Sequence, residues 1–484
     1  YLFSLNLEKT QQVLNKIKKF NNFAGDLSSN KSVDFLSWLE WDSPYMPWEK
    51  NDLCFAAIGD NGEIIKTSKF VNKNINVKKN ISFFQPYWLN NDTLVCSEDS
   101  SGWWNLLFLV VTDIENIVIK KRVLKNFTEY GSPQWVSGIS FFAGSIENLF
   151  CLAKQKNSWI LEQYKDLICI KELNLAFQSI SDFCAFDTKI VFRGFGVNSV
   201  DNLFEYDFLE KDSDKFFKDL SIDAVNEYVQ PESFWFVGFD NKPTHSFIYR
   251  PSSSMYKKPP LLLKAHSGPT SCFDGSLNFE VQQWIKRGFF VAEVNYGGSS
   301  GFGREYRERL NNKWGVVDSY DCKALLLELI RLGFIDENKV AISGNSAGGL
   351  TALNCLSDED FFKVAICKYP VLDLNDMNQN THRFEKDYLN SLIGNYSKFR
   401  KEYQIRSPIY KLRKNKKPVL FFHGKKDLVI SYKQTLQVKE QLIRNNQFSE
   451  VIIFENEGHG FKNLDNKKKV LEKSIEFLKK NLDI

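Results

Sequence analysis

Asn338-Lys339-Val340-Ala341-Ile342-Ser343-Gly344-Asn345-Ser346-Ala347-Gly348-Gly349-Leu350 is a short apolar run that breaks into a glycine-rich turn and resumes in helix-forming residues. The order is strand, sharp turn, helix. Strand and helix can approach closely at such a turn only if the residues two before and two after the serine are small. Gly344 and Gly348 meet that need. The turn lifts the Ser346 hydroxyl above the sheet and puts the Ala347 amide at a helix N-terminus, where backbone dipoles favour a developing negative charge. The same G-x-S-x-G spacing also occurs as a plain turn, so the chemistry depends on partners elsewhere in the chain.

A serine hydroxyl is a poor nucleophile until an imidazole takes its proton, and the imidazole needs a carboxylate to hold its tautomer. Among five histidines, His459 lies in Glu457-Gly458-His459-Gly460-Phe461, five residues past the apolar run Val451–Phe454. Asp427 follows the apolar run Val419–Phe422 in His423-Gly424-Lys425-Lys426-Asp427. Both are expected just beyond the C-terminal ends of parallel strands, the edge where Ser346 emerges and where ligands bind in such sheets. The order Ser, Asp, His is that of α/β-hydrolases. His423 reads as a residue that hydrogen-bonds loop backbone, His245 and His382 as core or surface histidines, and Asp373 as a weaker rival to Asp427. The loop after the first core strand, Ala265-His266-Ser267-Gly268-Pro269-Thr270-Ser271, offers the Gly268 amide as a second oxyanion donor or is an ordinary tight turn.

Outward from the elbow, apolar strands alternate with helices. Strands are expected at Leu261–Leu263, Phe289–Val294, Val340–Ser343, Val364–Cys367, Val419–Phe422 and Val451–Phe454. Helices are expected at Phe279–Arg287, Ser319–Leu332, Leu350–Leu356, Tyr432–Asn445 and Lys468–Asn481. Continuous apolar strands between helices mean a doubly wound, mostly parallel sheet covered on both faces. A hairpin around Asp240-Asn241 and a proline-rich loop from Pro251 to Pro260 precede it. The α/β domain is expected over 229–484.

Residues 1–228 read as short strands separated by turns. Trp38, Trp88, Trp135 and Phe183 mark a weak repeat with steps of 50, 47 and 48 residues. A period of this length carrying about four strands is that of propeller blades; a β-sandwich is the alternative. The segment holds four to five blades. Tyr1-Leu2-Phe3-Ser4-Leu5-Asn6-Leu7 already alternates like a strand, so the expectation is an incomplete, N-terminally truncated propeller.

Lys+Arg 63 against Asp+Glu 59 gives a net charge of only +4, which predicts no nucleic-acid partner. No apolar run reaches the length of a membrane-spanning helix. Nine cysteines without a C-x-x-C pair read as buried free thiols of a reducing, cytoplasmic compartment and as no metal site.

Four ordered motifs then resemble one family. His266-Ser267-Gly268-Pro269-Thr270-Ser271, Asn295-Tyr296-Gly297-Gly298-Ser299-Ser300-Gly301-Phe302-Gly303-Arg304, Trp314-Gly315-Val316-Val317-Asp318 and Gly344-Asn345-Ser346-Ala347-Gly348-Gly349 are similar to stretches of the prolyl oligopeptidase family of serine peptidases, in its acylaminoacyl peptidase and dipeptidyl aminopeptidase branch. Trp38–Trp48 and Ser101–Leu106 are similar to bacterial members. The resemblance implies a propeller capping an α/β-hydrolase, short peptides as substrates, members that often associate, and Ser346, Asp427 and His459 as the triad with the amides of Ala347 and Gly268 as oxyanion donors. Two departures stand out: Ser267 replaces a glycine of the usual H-G-G-P, and Gly297 stands where N-Y-R-G-S has arginine.

The expectation is therefore a serine peptidase acting through an acyl-enzyme without a cofactor or metal, with Tyr369 a candidate for the substrate pocket. An esterase on the same triad, or an inactive binding protein built on the propeller, are the alternatives.

Overall fold

The structure, a computed structural model, describes residues 2–5, 14–20, 22–71, 80–156, 158–196, 202–208, 228–251, 256–358, 360–414, 416–445 and 448–484. It divides into two compact units, Tyr1–Ala224 with Gly301–Arg304, and Val225–Ser300 with Glu305–Ile484. The stretch leading to the expected domain boundary at residue 228 lies outside the described residues, as do Tyr1, Asn6 and Leu7 of the opening strand-like run and part of the proline-rich loop.

Among the described residues the first unit holds a β-propeller of four antiparallel blades, preceded by the two-stranded sheet Leu2–Leu5 and Leu14–Lys18. Phe23–Ser29, Phe35–Trp41, Asp52–Ile58 and Ile64–Lys69 form one blade in that order, and Phe83–Trp88, Thr93–Glu98, Asn105–Val111 and Ile117–Arg122 the next. The third is built on Leu149–Gln155, Ser158–Lys165 and Ile168–Leu175; the fourth has Ser179–Phe186, Lys189–Phe195 and Asn202–Asp207. Middle strands such as Asn105–Val111 are buried along both faces and read as continuous apolar runs. The outermost strand of the same blade, Ile117–Arg122, alternates and ends in cations, which discourages pairing with another chain.

Blades bury their faces on one another: Leu39, Leu53 and Phe55 of the first pack with Phe83, Trp88, Leu94 and Leu107 of the second. The indole N–H of Trp88 reaches across to Ser37 Oγ at 3.0 Å. The tryptophan markers, however, occupy different places. Trp38 is on the second strand of its blade and Trp88 on the first, while Trp135 lies in a loop, against Trp48. The fifty-residue spacing thus measures a blade with its loops, not one recurring position.

The second unit is an eight-stranded sheet: β1 (Glu232–Val237), β2 (Pro243–Tyr249), β3 (Leu261–Ala265), β4 (Phe290–Asn295), β5 (Val340–Asn345), β6 (Val364–Lys368), β7 (Val419–Gly424) and β8 (Ser449–Phe454). Their spatial order is β1-β2-β4-β3-β5-β6-β7-β8. The pairs β1–β2 and β2–β4 are antiparallel and the others are parallel. Crossover helices include α1 (Phe279–Ile285), α2 (Val317–Arg331), α3 (Ala347–Asp358) and α4 (Tyr432–Arg444), and α5 (Leu464–Leu482) follows the last strand. Val281 and Trp284 of α1 with Phe477 and Leu478 of α5 cover Leu262, Ala341, Ile366 and Leu420 of the central strands.

Three differences from the sequence reading have local causes. Helix α3 starts at Ala347, because the small residues of the elbow are its first turn. Helix α5 starts earlier than expected because Asn463 Oδ1 caps it, accepting from the amides of Asp465 and Asn466. Four short helices, Leu374–Asn380, Tyr388–Leu392, Tyr396–Arg406 and Pro408–Lys411, lie between β6 and β7, where the sequence reading places no element. All nine cysteines are unpaired, and six of them are buried.

Candidate active site

Ser346 follows β5 with a left-handed backbone, φ 50°. Its amide donates to Lys368 O at the end of β6 (3.0 Å), and its carbonyl accepts from Gly349 N and Val371 N. The two glycines flanking it are required by contact, not only by backbone freedom. A Cβ on Gly344 would lie 2.0 Å from Gly348 O, and one on Gly348 would lie 2.3 Å from Ala265 O and 2.6 Å from His266 O. Those last two carbonyls belong to the loop carrying Gly268. Gly348→Ala is therefore expected to cost about 1–3 kcal/mol of stability by overpacking and to lower turnover by shifting that loop, checked by urea unfolding and peptide hydrolysis.

The side chains of Ser346, His459 and Asp427 form one hydrogen-bonded chain. His459 Nε2 is 3.0 Å from Ser346 Oγ, and His459 Nδ1 is 2.8 Å from Asp427 Oδ2. The His459 loop is held by Glu457, whose carboxylate accepts from the amides of Lys462 and Asn463 and from Asn466 Nδ2. Glu457 O in turn accepts from Lys426 N, one residue before Asp427. Asp427 is buried, and its Oδ1 accepts from the amides of Val429 and Ile430, both at 2.9 Å. Burial alone would raise its pKa; the hydrogen bonds from His423 and His459 outweigh burial and hold the carboxyl well below the usual range.

Tyr369, also left-handed at φ 39°, puts its ring 4.8 Å from the His459 ring and 5.3 Å from Phe461. Burial pushes its phenol up to about 12. The residue before it, Lys368, pairs with Glu280 of α1 at 2.7 Å. Burial acts against the Glu280 charge, but Lys368 and Lys264 overcome it and bring the carboxyl to about 2.

The Ala347 amide is the first of α3, a position with no intrahelical acceptor. Gly268 has φ 122°, a conformation that favours glycine, and a Cβ there would lie 2.8 Å from Thr270 N. Its loop is tied at several points: Tyr296 OH donates to His266 O (3.1 Å), Ser300 N to Ser271 O (2.9 Å), and Thr270 Oγ1 bonds Tyr388 OH. Ser267 is exposed. At Gly297, a Cβ would lie 2.8 Å from Val317 Cγ1, and its amide donates to Asp321 Oδ2.

His266 stacks on Tyr296 at 4.1 Å, between Ser267 O and Ser299 Oγ. Burial lowers its pKa to about 4 from 6.5. Asp321, holding the amides of Phe239 and Gly297, goes the other way, to about 6 from 3.8, again chiefly through burial. The two act oppositely on stability. His266 contributes stability that is present above its unfolded value and lost as pH falls from about 6.5 to about 4, whereas protonation of Asp321 adds stability as pH falls from about 6 toward 3.8. Each contributes about 3 kcal/mol. Asp321→Asn is expected to steepen the loss of stability on acidification and His266→Phe to flatten it, read from urea midpoints across that window.

The rival residues are engaged elsewhere. His245 is buried between Asn295 Nδ2 and Ser233 Oγ, His382 lies beside Glu385, and Asp373 caps the helix Leu374–Asn380. His423 does bond loop backbone, at Ile430 O, but it also lies 3.3 Å from Asp427 Oδ2, a contact its position at a strand end does not announce. Among the described residues no cluster of metal-ligating side chains occurs, and no helix is long and apolar enough to cross a membrane.

This strand order, with a left-handed serine between β5 and α3, defines an α/β-hydrolase, here on a chain that also carries a β-propeller. Residues 276–484 match the prolyl oligopeptidase family. It is 28% identical over 211 residues to acylamino-acid-releasing enzyme 1 of Oryza sativa, covering 42% of this chain and 27% of the relative. It is 27% identical over 246 residues to dipeptidyl aminopeptidase BIII of Pseudoxanthomonas mexicana, covering 47% and 35%. The chain thus spans about a third or less of the length of these curated relatives. Among solved structures, a puromycin-hydrolyzing peptidase of Mycobacterium tuberculosis aligns with a TM-score of 0.88 at 26% identity, over 97% of this chain and 72% of that one.

Proposed function

We propose that the chain is a serine peptidase of short peptides, of the acylaminoacyl or dipeptidyl aminopeptidase kind, with Ser346 as nucleophile, His459 as general base and acid, and Asp427 as the carboxylate that orients the imidazole. The observation that carries this reading is the continuous chain from Asp427 Oδ2 through His459 to Ser346 Oγ, at 2.8 and 3.0 Å. The names of the similar proteins, an acylamino-acid-releasing enzyme, a dipeptidyl aminopeptidase and a puromycin-hydrolyzing peptidase, support peptide-like substrates.

In this mechanism Ser346 Oγ attacks the scissile carbonyl as its proton passes to His459 Nε2, and the ionised Asp427 stabilises the imidazolium. The amides of Ala347 and Gly268 receive the negative charge of the tetrahedral intermediate. Collapse expels the amine, which takes the proton from His459 and leaves an acyl-enzyme on Ser346. Water, deprotonated by His459, attacks that ester and releases the second product. Tyr369, packed on the imidazole, is assigned to the wall of the pocket beside the scissile bond.

Fluorophosphonate labelling with peptide mapping, run beside a panel of aminoacyl, acetyl-aminoacyl and dipeptidyl anilides and a plain acetate ester, tests this reading. Labelling at Ser346 with anilide turnover is expected. Ester turnover alone would make the chain an esterase, and an unlabelled, folded chain would make it a binding protein.

A further inference from the structure

Beside the hydrogen-bonded chain from Ser346 through His459 to Asp427 lies a buried histidine that the mechanism does not use. His423, on β7, is fully buried. Its Nε2 is 3.0 Å from Ile430 O and 3.3 Å from Asp427 Oδ2, and its Nδ1 is 2.8 Å from Thr435 Oγ1 on α4. A carbonyl and a carboxylate can only accept, so the ring proton is assigned to Nε2, and the Thr435 hydroxyl donates to Nδ1. The Nε2 proton is thus shared between Ile430 O at 3.0 Å and Asp427 Oδ2 at 3.3 Å, while Thr435 supplies the proton on the other side of the ring.

We propose that His423, oriented by Thr435, is a positioning residue of this site: it shares Asp427 Oδ2 with His459 and sets from behind how strongly that carboxylate holds the imidazolium. The proposal rests on the reading of Asp427 as the carboxylate of the triad. A carboxylate offers about four lone-pair sites, and here four donors meet them: the amides of Val429 and Ile430 at Oδ1, and the two imidazoles at Oδ2. The titratable groups facing Asp427 are His423 from β7, His459 from the loop between β8 and α5, and Tyr369 from the loop after β6. With His423 removed, the buried carboxylate loses one donor and gains proton affinity. Its pull on the His459 proton grows, so the imidazole becomes a base only at higher pH.

The test uses the full chain and reads fluorophosphonate inactivation of Ser346 together with anilide turnover, from about pH 5 to about pH 9. His423→Leu is expected to lower kcat about tenfold with KM little changed, and to move the acid limb of kcat/KM to higher pH. Thr435→Val should move both in the same direction but less. His423→Gln, which keeps an N–H where Nε2 stood, should restore most of the rate and the wild-type acid limb. An unmoved acid limb in folded His423→Leu, a loss confined to KM, or a glutamine variant no better than leucine would overturn the proposal. Should His423→Leu not fold, an unmoved limb in Thr435→Val would do so. Failure of the wild-type chain to label at Ser346 would instead overturn the reading of the site, and this inference with it.

Discussion

Ser346→Ala is expected to lower kcat for a peptide anilide by about 10⁶-fold, leaving KM close to that of the unaltered chain. The substitution removes the one atom that forms the acyl bond. His459 Nε2 then faces a methyl group with no proton to take, while the amides of Ala347 and Gly268 remain in place. A residual rate of about 10³–10⁴ over water therefore survives, from oxyanion binding and orientation alone. Folding should be nearly unaffected, because Ser346 makes its structural bonds through backbone: its amide to Lys368 O and its carbonyl to the amides of Gly349 and Val371. The check is a pair of measurements, thermal unfolding and fluorophosphonate titration beside turnover. A variant that unfolds normally yet keeps more than about 1% of the rate would mean that another group is the nucleophile.

The elbow was legible in the sequence because its glycines answer to steric needs that any such turn has. Gly344 and Gly348 sit where a Cβ would run into backbone oxygen, and no other residue relieves that contact. Asp427 and His459 could be read from position, since a parallel sheet presents the loops after its strands at one edge. The features that escaped depend on how loops fold back. The turn Asp427–Ile430 returns its carbonyl to His423, so one histidine serves both backbone and carboxylate, and nothing in His423-Gly424 signals it. The short helices between β6 and β7 escaped because they are short and largely polar: Leu374–Asn380 carries little more apolar surface than Leu374 and Met377, and its start is set by the side chain of Asp373. The blade markers gave the period of the propeller but not its strands, for a related reason. Aromatic residues pack wherever blades meet, so their spacing tracks blade length without fixing a strand.

Asp427→Asn is expected to cost about 10⁴-fold in kcat, the loss produced when the imidazole is held in the wrong tautomer. The amide has one acceptor and one donor where the carboxylate had two acceptors. With its oxygen toward Val429 and Ile430, the NH₂ group faces His459 Nδ1 and would donate to it, placing the ring proton on Nε2, where it cannot take the proton of Ser346. The same NH₂ group also meets the N–H of His423, 3.3 Å from that oxygen in the unaltered chain. Turning the amide over repairs the histidine side but sets NH₂ against the amides of Val429 and Ile430. Either orientation sets donor against donor in a buried place, so stability should fall as well, by about 1–3 kcal/mol. The pH dependence separates the two losses. Because the folded carboxylate is held below its unfolded value, its contribution to stability is present above that value and lost as pH falls below it. Asp427→Asn should therefore be less stable than the unaltered chain at neutral pH and should lose less on acidification, so that their urea midpoints converge at low pH. Midpoints that stay parallel would mean that Asp427 is not held as an ion by its four donors.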